Sequence, residues 1–250
     1  IFMVKLFRLR IVLVVLVLCI PLLGSAQSSQ GWSGSGSGTE SDPFRIFDPA
    51  ELDQMRNFLN QEGVYFKLMD DIDLTNWIND NNPSEGWQPI GIPSSPFKGI
   101  LDGNNKTISG LDIKRASTEY VGLFGYLYNA TIKDLSIQGS EIVGSNYSGG
   151  LAGYASQSVI NDVNLTISSI SGANYVGTIA GKVESTLSIS NCNITTIIDG
   201  AGSISHGGII GINSGTVNVA NCSVNVSVSG NSYIGGLIGE NSGTVSVEGS

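Results

Sequence analysis

Val121-Gly122-Leu123-Phe124-Gly125, Gly149-Gly150-Leu151-Ala152-Gly153, Gly177-Thr178-Ile179-Ala180-Gly181, Gly207-Gly208-Ile209-Ile210-Gly211 and Gly235-Gly236-Leu237-Ile238-Gly239 are five versions of one short apolar turn bracketed by glycine. The closing glycines fall at 125, 153, 181, 211 and 239, so the steps are 28, 28, 30 and 28 residues. A fixed period of this size marks a solenoid, in which each repeat buries its apolar face only against its neighbours. A β-propeller would need about 40 residues per blade, too long for the observed step.

A second ladder runs beside the glycines. Ile132-Lys133-Asp134-Leu135-Ser136-Ile137 aligns with Ile160-Asn161-Asp162-Val163-Asn164-Leu165, then with Ile189-Ser190-Asn191-Cys192-Asn193-Ile194 and Val219-Ala220-Asn221-Cys222-Ser223-Val224. Positions one, four and six are apolar. The third is Asp134, Asp162, Asn191 or Asn221, residues that accept turn conformations and bond along a stack. Gly, Val, Ile, Ser, Thr and Asn dominate after residue 120, favouring strand and turn over helix. Three short strands per coil of about 28–30 residues predict an all-β chain, a right-handed parallel β-helix with a short N-terminal capping helix.

Upstream, Lys5, Arg8 and Arg10 precede an apolar run from Ile11 to Leu23 and then Gly24-Ser25-Ala26. That order predicts a signal peptide over 1–26, because the apolar run is shorter than the roughly 20 residues that span a bilayer. Residues 27–39 are Ser- and Gly-rich and predict a flexible leader. Residues 40–118 read as an N-terminal cap with the first strands, and 119–250 as the repeats. Within the cap, Asp48, Pro49 and Glu51 give an N-cap, a proline at the first helical position and a capping box. Leu52, Met55, Phe58 and Leu59 then form one stripe, predicting a helix over about 49–60 that covers the open first rung. Val64–Leu68, Phe97–Leu101 and Thr107–Ile113 alternate as strands, while Asn79–Pro83 and Asp102–Asn105 read as turns. The chain opens Ile1-Phe2 before Met3 and stops at Ser250 inside a rung, so a C-terminal truncation is expected.

The chain carries 12 basic and 21 acidic residues, net −9. Without residues 1–26 the balance is −12, which argues against nucleic acid and anionic membranes as partners. Two cysteines after the leader exclude a disulfide-dense domain. Cys192 and Cys222 occupy one repeat position a rung apart, where two free thiols in an apolar column fit better than a disulfide. His206, the only histidine, stands where a tyrosine is usual, and with no second histidine it reads as structural. Neither a zinc site nor an EF-hand is present: Asp70, Asp71 and Asp73 read as turn and edge acids.

Glycoside cleavage would need paired carboxylates. Acids, Asp134, Asp162, Glu184, Asp199, Glu240 and Glu248 among them, are sparse after residue 120, and the basic residues beyond Arg115 are limited to Lys133 and Lys182. No catalytic, cofactor-binding or metal-binding residue is therefore assigned. Tyr120, Tyr126, Tyr128, Tyr147, Tyr154 and Tyr175 form either an exposed stripe for carbohydrate or a packed corner ladder.

The glycine turns, most preceded by a tyrosine (Tyr120, Tyr147, Tyr175, Tyr233), resemble the GLUG motif of exported bacterial proteins. The resemblance extends upstream through Gly38–Ile46, Asp70–Leu74, Trp87–Gly91 and Phe97–Ile108, so it covers roughly 36–250. It departs at Val121-Gly122, where one glycine of the doubled pair is missing, and at His206. Such repeats occur in bacterial surface proteins, adhesin-like proteins and non-catalytic regions of immunoglobulin A proteases. The resemblance implies an exported, non-enzymatic scaffold or adhesin-like module at the cell surface, with glycans or host surface proteins as partners. The alternative is the non-catalytic N-terminal region of a larger secreted protease or carbohydrate-active enzyme.

Overall fold

A computed structural model describes residues 31–200 and 204–250. The predicted signal peptide lies outside them. The fold is a parallel β-solenoid, as the glycine period requires. Its main sheet stacks Phe44–Ile46, Tyr65–Leu68, Ile100–Lys114, Thr131–Val143, Ser158–Ser171, Thr186–Ser190, Thr216–Ala220 and Thr244–Glu248, all parallel. Two further sheets complete the regular coils. One holds Asn146–Gly149, Asn174–Gly177, His206–Gly207 and Ile234–Gly235. The other holds Phe124–Tyr128, Ala152–Ser156, Ala180–Val183, Ile210–Asn213 and Ile238–Asn241.

Register makes columns of like residues. Leu101, Ile132, Ile160, Ile189 and Val219 are paired in sequence up the stack, and all are buried. Each regular coil bends where the hexapeptides place Asp134, Asp162, Asn191 and Asn221, whose φ angles are +54°, +53°, +56° and +54°. Asn and Asp tolerate this left-handed region better than other side chains. The glycine turns have a different cause. A Cβ on Gly153, Gly181 or Gly211 would lie within 3.0 Å of backbone atoms of Tyr120, Tyr147 or Tyr175 in the coil below. Those tyrosines themselves sit at φ +57°, +60° and +57°. The turn glycine therefore makes room for the neighbouring coil's tyrosine backbone, which accounts for the pairing of the two residues in the repeat.

The N-terminal end is built differently. Helix α1 (Pro49–Gln54) continues as a 3-10 turn over Met55–Phe58, inside the predicted span. The Asp48 carboxylate accepts the Glu51 N–H at 2.8 Å, while Glu51 reaches back to the Phe47 N–H at 2.7 Å. Leu52, Met55 and Phe58 are buried, and Phe58 packs against Phe44 and Phe66, covering the first rung.

Two expectations fail here. Residues 31–39 are not a flexible leader. Trp32 is only 7% exposed and packs on Phe44 at 4.9 Å, and the Ser35 and Gly38 carbonyls accept N–H groups of Arg45 and Tyr65. The Ser/Gly composition suggested mobility, but one buried indole and paired backbone outweigh it. Asn79 is likewise not in a turn. It belongs to a second helix, α2 (Thr75–Asn81), which the sequence reading missed. The Asp73 carboxylate accepts the Thr75 N–H, and Ile78 anchors the helix in the core. The division at 118/119 separates irregular coils from regular ones; a single apolar core runs across it from Trp32 to Cys222.

Candidate functional site

The titratable groups singled out in the sequence are turned to structural use. Asp71 and Asp73 each accept a backbone N–H, from Thr107 and Thr75. Asp134 and Asp162 stand one above the other at the left-handed bend. Glu184 takes the Lys182 ammonium at 2.6 Å and the Tyr154 hydroxyl at 3.1 Å; the Lys182 bond holds its carboxyl below the usual carboxylate range. A carboxyl kept ionised in this way is unsuited to donating a proton. Among the described residues no three His, Cys, Asp or Glu side chains converge as a metal site.

Cys192 and Cys222 are both free and buried. Each thiol donates to the carbonyl two residues before it, Ser190 at 3.2 Å and Ala220 at 3.3 Å, and burial pushes the Cys192 thiol up to about 12. These are inert thiols continuing the apolar column of Leu135 and Val163.

His206 does not take the place of a repeat tyrosine. Its partners in register are Val176 and Ile234, so Ser205 holds the tyrosine position and His206 points inward. It is fully buried, and among the described residues neither ring nitrogen has a hydrogen-bond partner. Desolvation lowers its pKa, and the imidazole is neutral.

The tyrosines form the packed corner. Tyr120, Tyr147 and Tyr175 stack at 5.0 and 5.1 Å, Tyr126 lies on Tyr154 at 3.9 Å, and the Lys182 ammonium sits 5.1 Å over Tyr147. Because the rings cover one another, their faces are largely unavailable to a ligand.

What remains open is a flat polar face of the main sheet that sequence reasoning did not single out. Ser136, Asn164, Asn193 and Ser223 form one column, and Gln138, Thr166, Thr195 and Asn225 the next. Period-two alternation turns these side chains out while Ile137, Leu165 and Ile194 turn in. Rungs repeat at about 4.8 Å, so hydroxyls and amides form a lattice. Asn193 Nδ2 donates to Asn164 Oδ1 at 2.7 Å along the column. A shallow groove of about 390 Å³ crosses three rungs here, between Thr166, Ser168, Thr195, Ile197, Asn225 and Ser227. Ile197, 54% exposed, supplies its one large apolar surface. The alternating pattern beneath this face was legible in the hexapeptides; its uncharged character follows from reading their exposed positions together.

Comparison with known proteins agrees with this architecture. No protein-family model matches the chain. A segment of 121 residues is 40% identical to the "Putative Gly-rich membrane protein" of Evansella cellulosilytica, covering 48% of this chain and 13% of that protein. A segment of 117 residues is 36% identical to "Halomucin" of Haloquadratum walsbyi, covering 46% of this chain and 1% of that one. The chain thus spans a small part of the curated relatives it matches. Among solved structures, the crystal structure of "a putative immunoglobulin A1 protease" from Bacteroides ovatus superposes with a TM-score of 0.60 at 20% identity. The match covers 86% of this chain and 76% of that one, a likeness of fold. No helix among the described residues is long and apolar enough to cross a membrane.

Proposed function

We propose that this chain is a non-enzymatic scaffold of an exported surface protein, built of GLUG-type repeats, whose uncharged polar face binds neutral glycans. The observation that carries the reading is the pair of columns Ser136–Asn164–Asn193–Ser223 and Gln138–Thr166–Thr195–Asn225. They offer donors and acceptors at every rung with no charge among them. A ligand rich in hydroxyls and extended along the stack can exchange its water bonds for these without burying an ion. The names of the two sequence relatives, a membrane protein and a halomucin, favour a surface location. A second reading, the non-catalytic part of a larger secreted protease, draws on the fold likeness to the Bacteroides ovatus structure.

The test is a glycan array probed with the full chain beside Thr195→Asp. The expected result is saturable binding of neutral glycans, weakened about tenfold by the charge placed on the exposed face, in a variant that melts like the parent. Absence of binding across the array, or turnover of any bound polysaccharide, overturns the reading.

A further inference from the structure

A different patch breaks the uncharged pattern of the exterior. On the outward side of the main sheet, at its N-terminal end, Arg45, Lys67, Asp102 and Lys133 stand directly above one another on four successive strands. Only nine basic residues follow Gly31 in the sequence, and three of them are in this one column. The side chains are partly exposed, 37%, 33% and 36% for the cations and 20% for Asp102. They border a cleft of about 450 Å³ together with Tyr65, Ser41 and Glu40.

Isolated ion pairs at a surface stabilise a fold by about 0–1 kcal/mol, and like charges directly opposite on paired strands are unfavourable. Arg45 and Lys67 are such opposites. Fold stability alone therefore gives little reason for the column. Its charges are nevertheless balanced. Arg45 pairs with Asp42 at 2.8 Å, and Lys133 lies 3.2 Å from Asp102 and 3.1 Å from Asp134. Lys67 approaches Asp102 only to 3.5 Å. Asp102 also accepts the Asn104 N–H at 2.8 Å, and these bonds hold it ionised. Glu40 adds one further acid at the rim.

We infer that this cleft is a binding site for a neutral pyranose, with Asp102 accepting from one hydroxyl and Lys67 and Lys133 donating to its neighbour, beside the Tyr65 ring. Adjacent cation and carboxylate present donor and acceptor side by side, the arrangement that vicinal hydroxyls match. With three cations against four acids the patch is within one charge of neutral, which gives little attraction to a polyanion or a polycation. The volume is that of a small-ligand pocket, and the backbone beneath is already committed to the sheet, so recognition must come from side chains. The site is separate from the uncharged face and stands whether or not that face binds.

The experiment is calorimetric titration of the full chain with neutral oligosaccharides and with their uronate counterparts. The proteins are Thr195→Asp, in which the uncharged face is disabled, and the same variant carrying Lys67→Met or Asp102→Asn. Met keeps the aliphatic stem of Lys67, and Asn keeps an acceptor for the Asn104 N–H, so both variants are expected to fold, which thermal melting checks. Saturable binding of a neutral sugar is expected. It should weaken about tenfold when either cleft substitution is added, and hold constant from about 0.05 to about 0.5 M salt. No binding of any neutral sugar, binding by both cleft variants as tight as that of Thr195→Asp alone, or tighter and steeply salt-dependent binding of uronates overturns the site. Loss of array binding in Thr195→Asp with cleft binding intact would locate the two sites independently.

Discussion

The two ends of this molecule reach a packed interior by opposite means. From Trp32 to Phe124 the coils are irregular in length and filled by large rings. Phe44, Phe58, Phe66, Phe97 and Phe124 follow one another at centroid distances of 4.7–5.9 Å, with Trp32 closing the end. From Leu135 onward the coils are regular, and columns of Leu, Val, Ile and Cys do the filling. A ring fills space without a repeating neighbour, so it suits the first rungs, where partners above and below differ. A small aliphatic side chain fills space only if the coil spacing never varies. Regularity in the repeats is thus a requirement of their small side chains, and the aromatic end stands in for the cap that any stacked fold needs.

The largest expected effect tests the aromatic end. Phe66 is fully buried and touches the rings of Trp32, Phe44, Phe58 and Phe97. Phe66→Ala is expected to cost about 3–5 kcal/mol in urea denaturation. Hydrogen exchange should rise chiefly between Trp32 and Tyr128. Uniform loss of protection up to Val219 would instead make the chain one cooperative unit and remove the contrast.

A smaller effect tests the repeats. In Gly181→Ala the new Cβ meets the backbone of Tyr147 and Ser148 in the coil below. Backbone cannot swing aside as a side chain can, so a loss of about 1–3 kcal/mol is expected. Exchange should increase around 147–183 while the Phe66 region stays protected. A neutral result would show that the glycine is dispensable and that the tyrosine alone sets the corner.

The same contrast decides what was legible in the sequence. The repeats announce themselves because identical constraints recur: glycine where a neighbouring tyrosine backbone approaches, Asp or Asn at the left-handed bend, apolar residues inward. The aromatic end has no second copy to compare, so Trp32 was hidden in a Ser/Gly stretch and α2 in an Asn-rich one. His206 was misplaced by one position. Counting back six residues from the closing glycine leads to Tyr147, Tyr175, Ser205 and Tyr233, so the correct register was present in the sequence. The polar lattice and the charged cleft were harder to foresee, because both depend on which residues stand in register on separate coils.

His206 provides the smallest and most selective test, since it is the one titratable side chain among the buried polar groups without a partner in the described residues. Val176 and Ile234 flank it in register, and Gly200 and Gly230 leave room for the ring. The nearby satisfied case is Asn213, equally buried, whose amide donates to Asn241 Oδ1 at 2.8 Å and accepts the Gly215 N–H at 2.9 Å. An orphaned buried polar group costs about 1–3 kcal/mol, so His206→Ile is expected to stabilise the chain by about 1 kcal/mol at neutral pH. The difference should widen on acidification. Burial depresses the folded pKa, with the charge of Asp199 opposing the shift, so the unfolded chain binds the proton first. Parent stability therefore falls as the pH drops below about 6.5, by at most about 1.4 kcal/mol per pH unit, until the folded state titrates as well. That component disappears in His206→Ile. If urea midpoints of the two proteins run parallel between about pH 7 and about pH 5, the imidazole has a partner in the fold after all, and the fourth coil is as well satisfied as its neighbours.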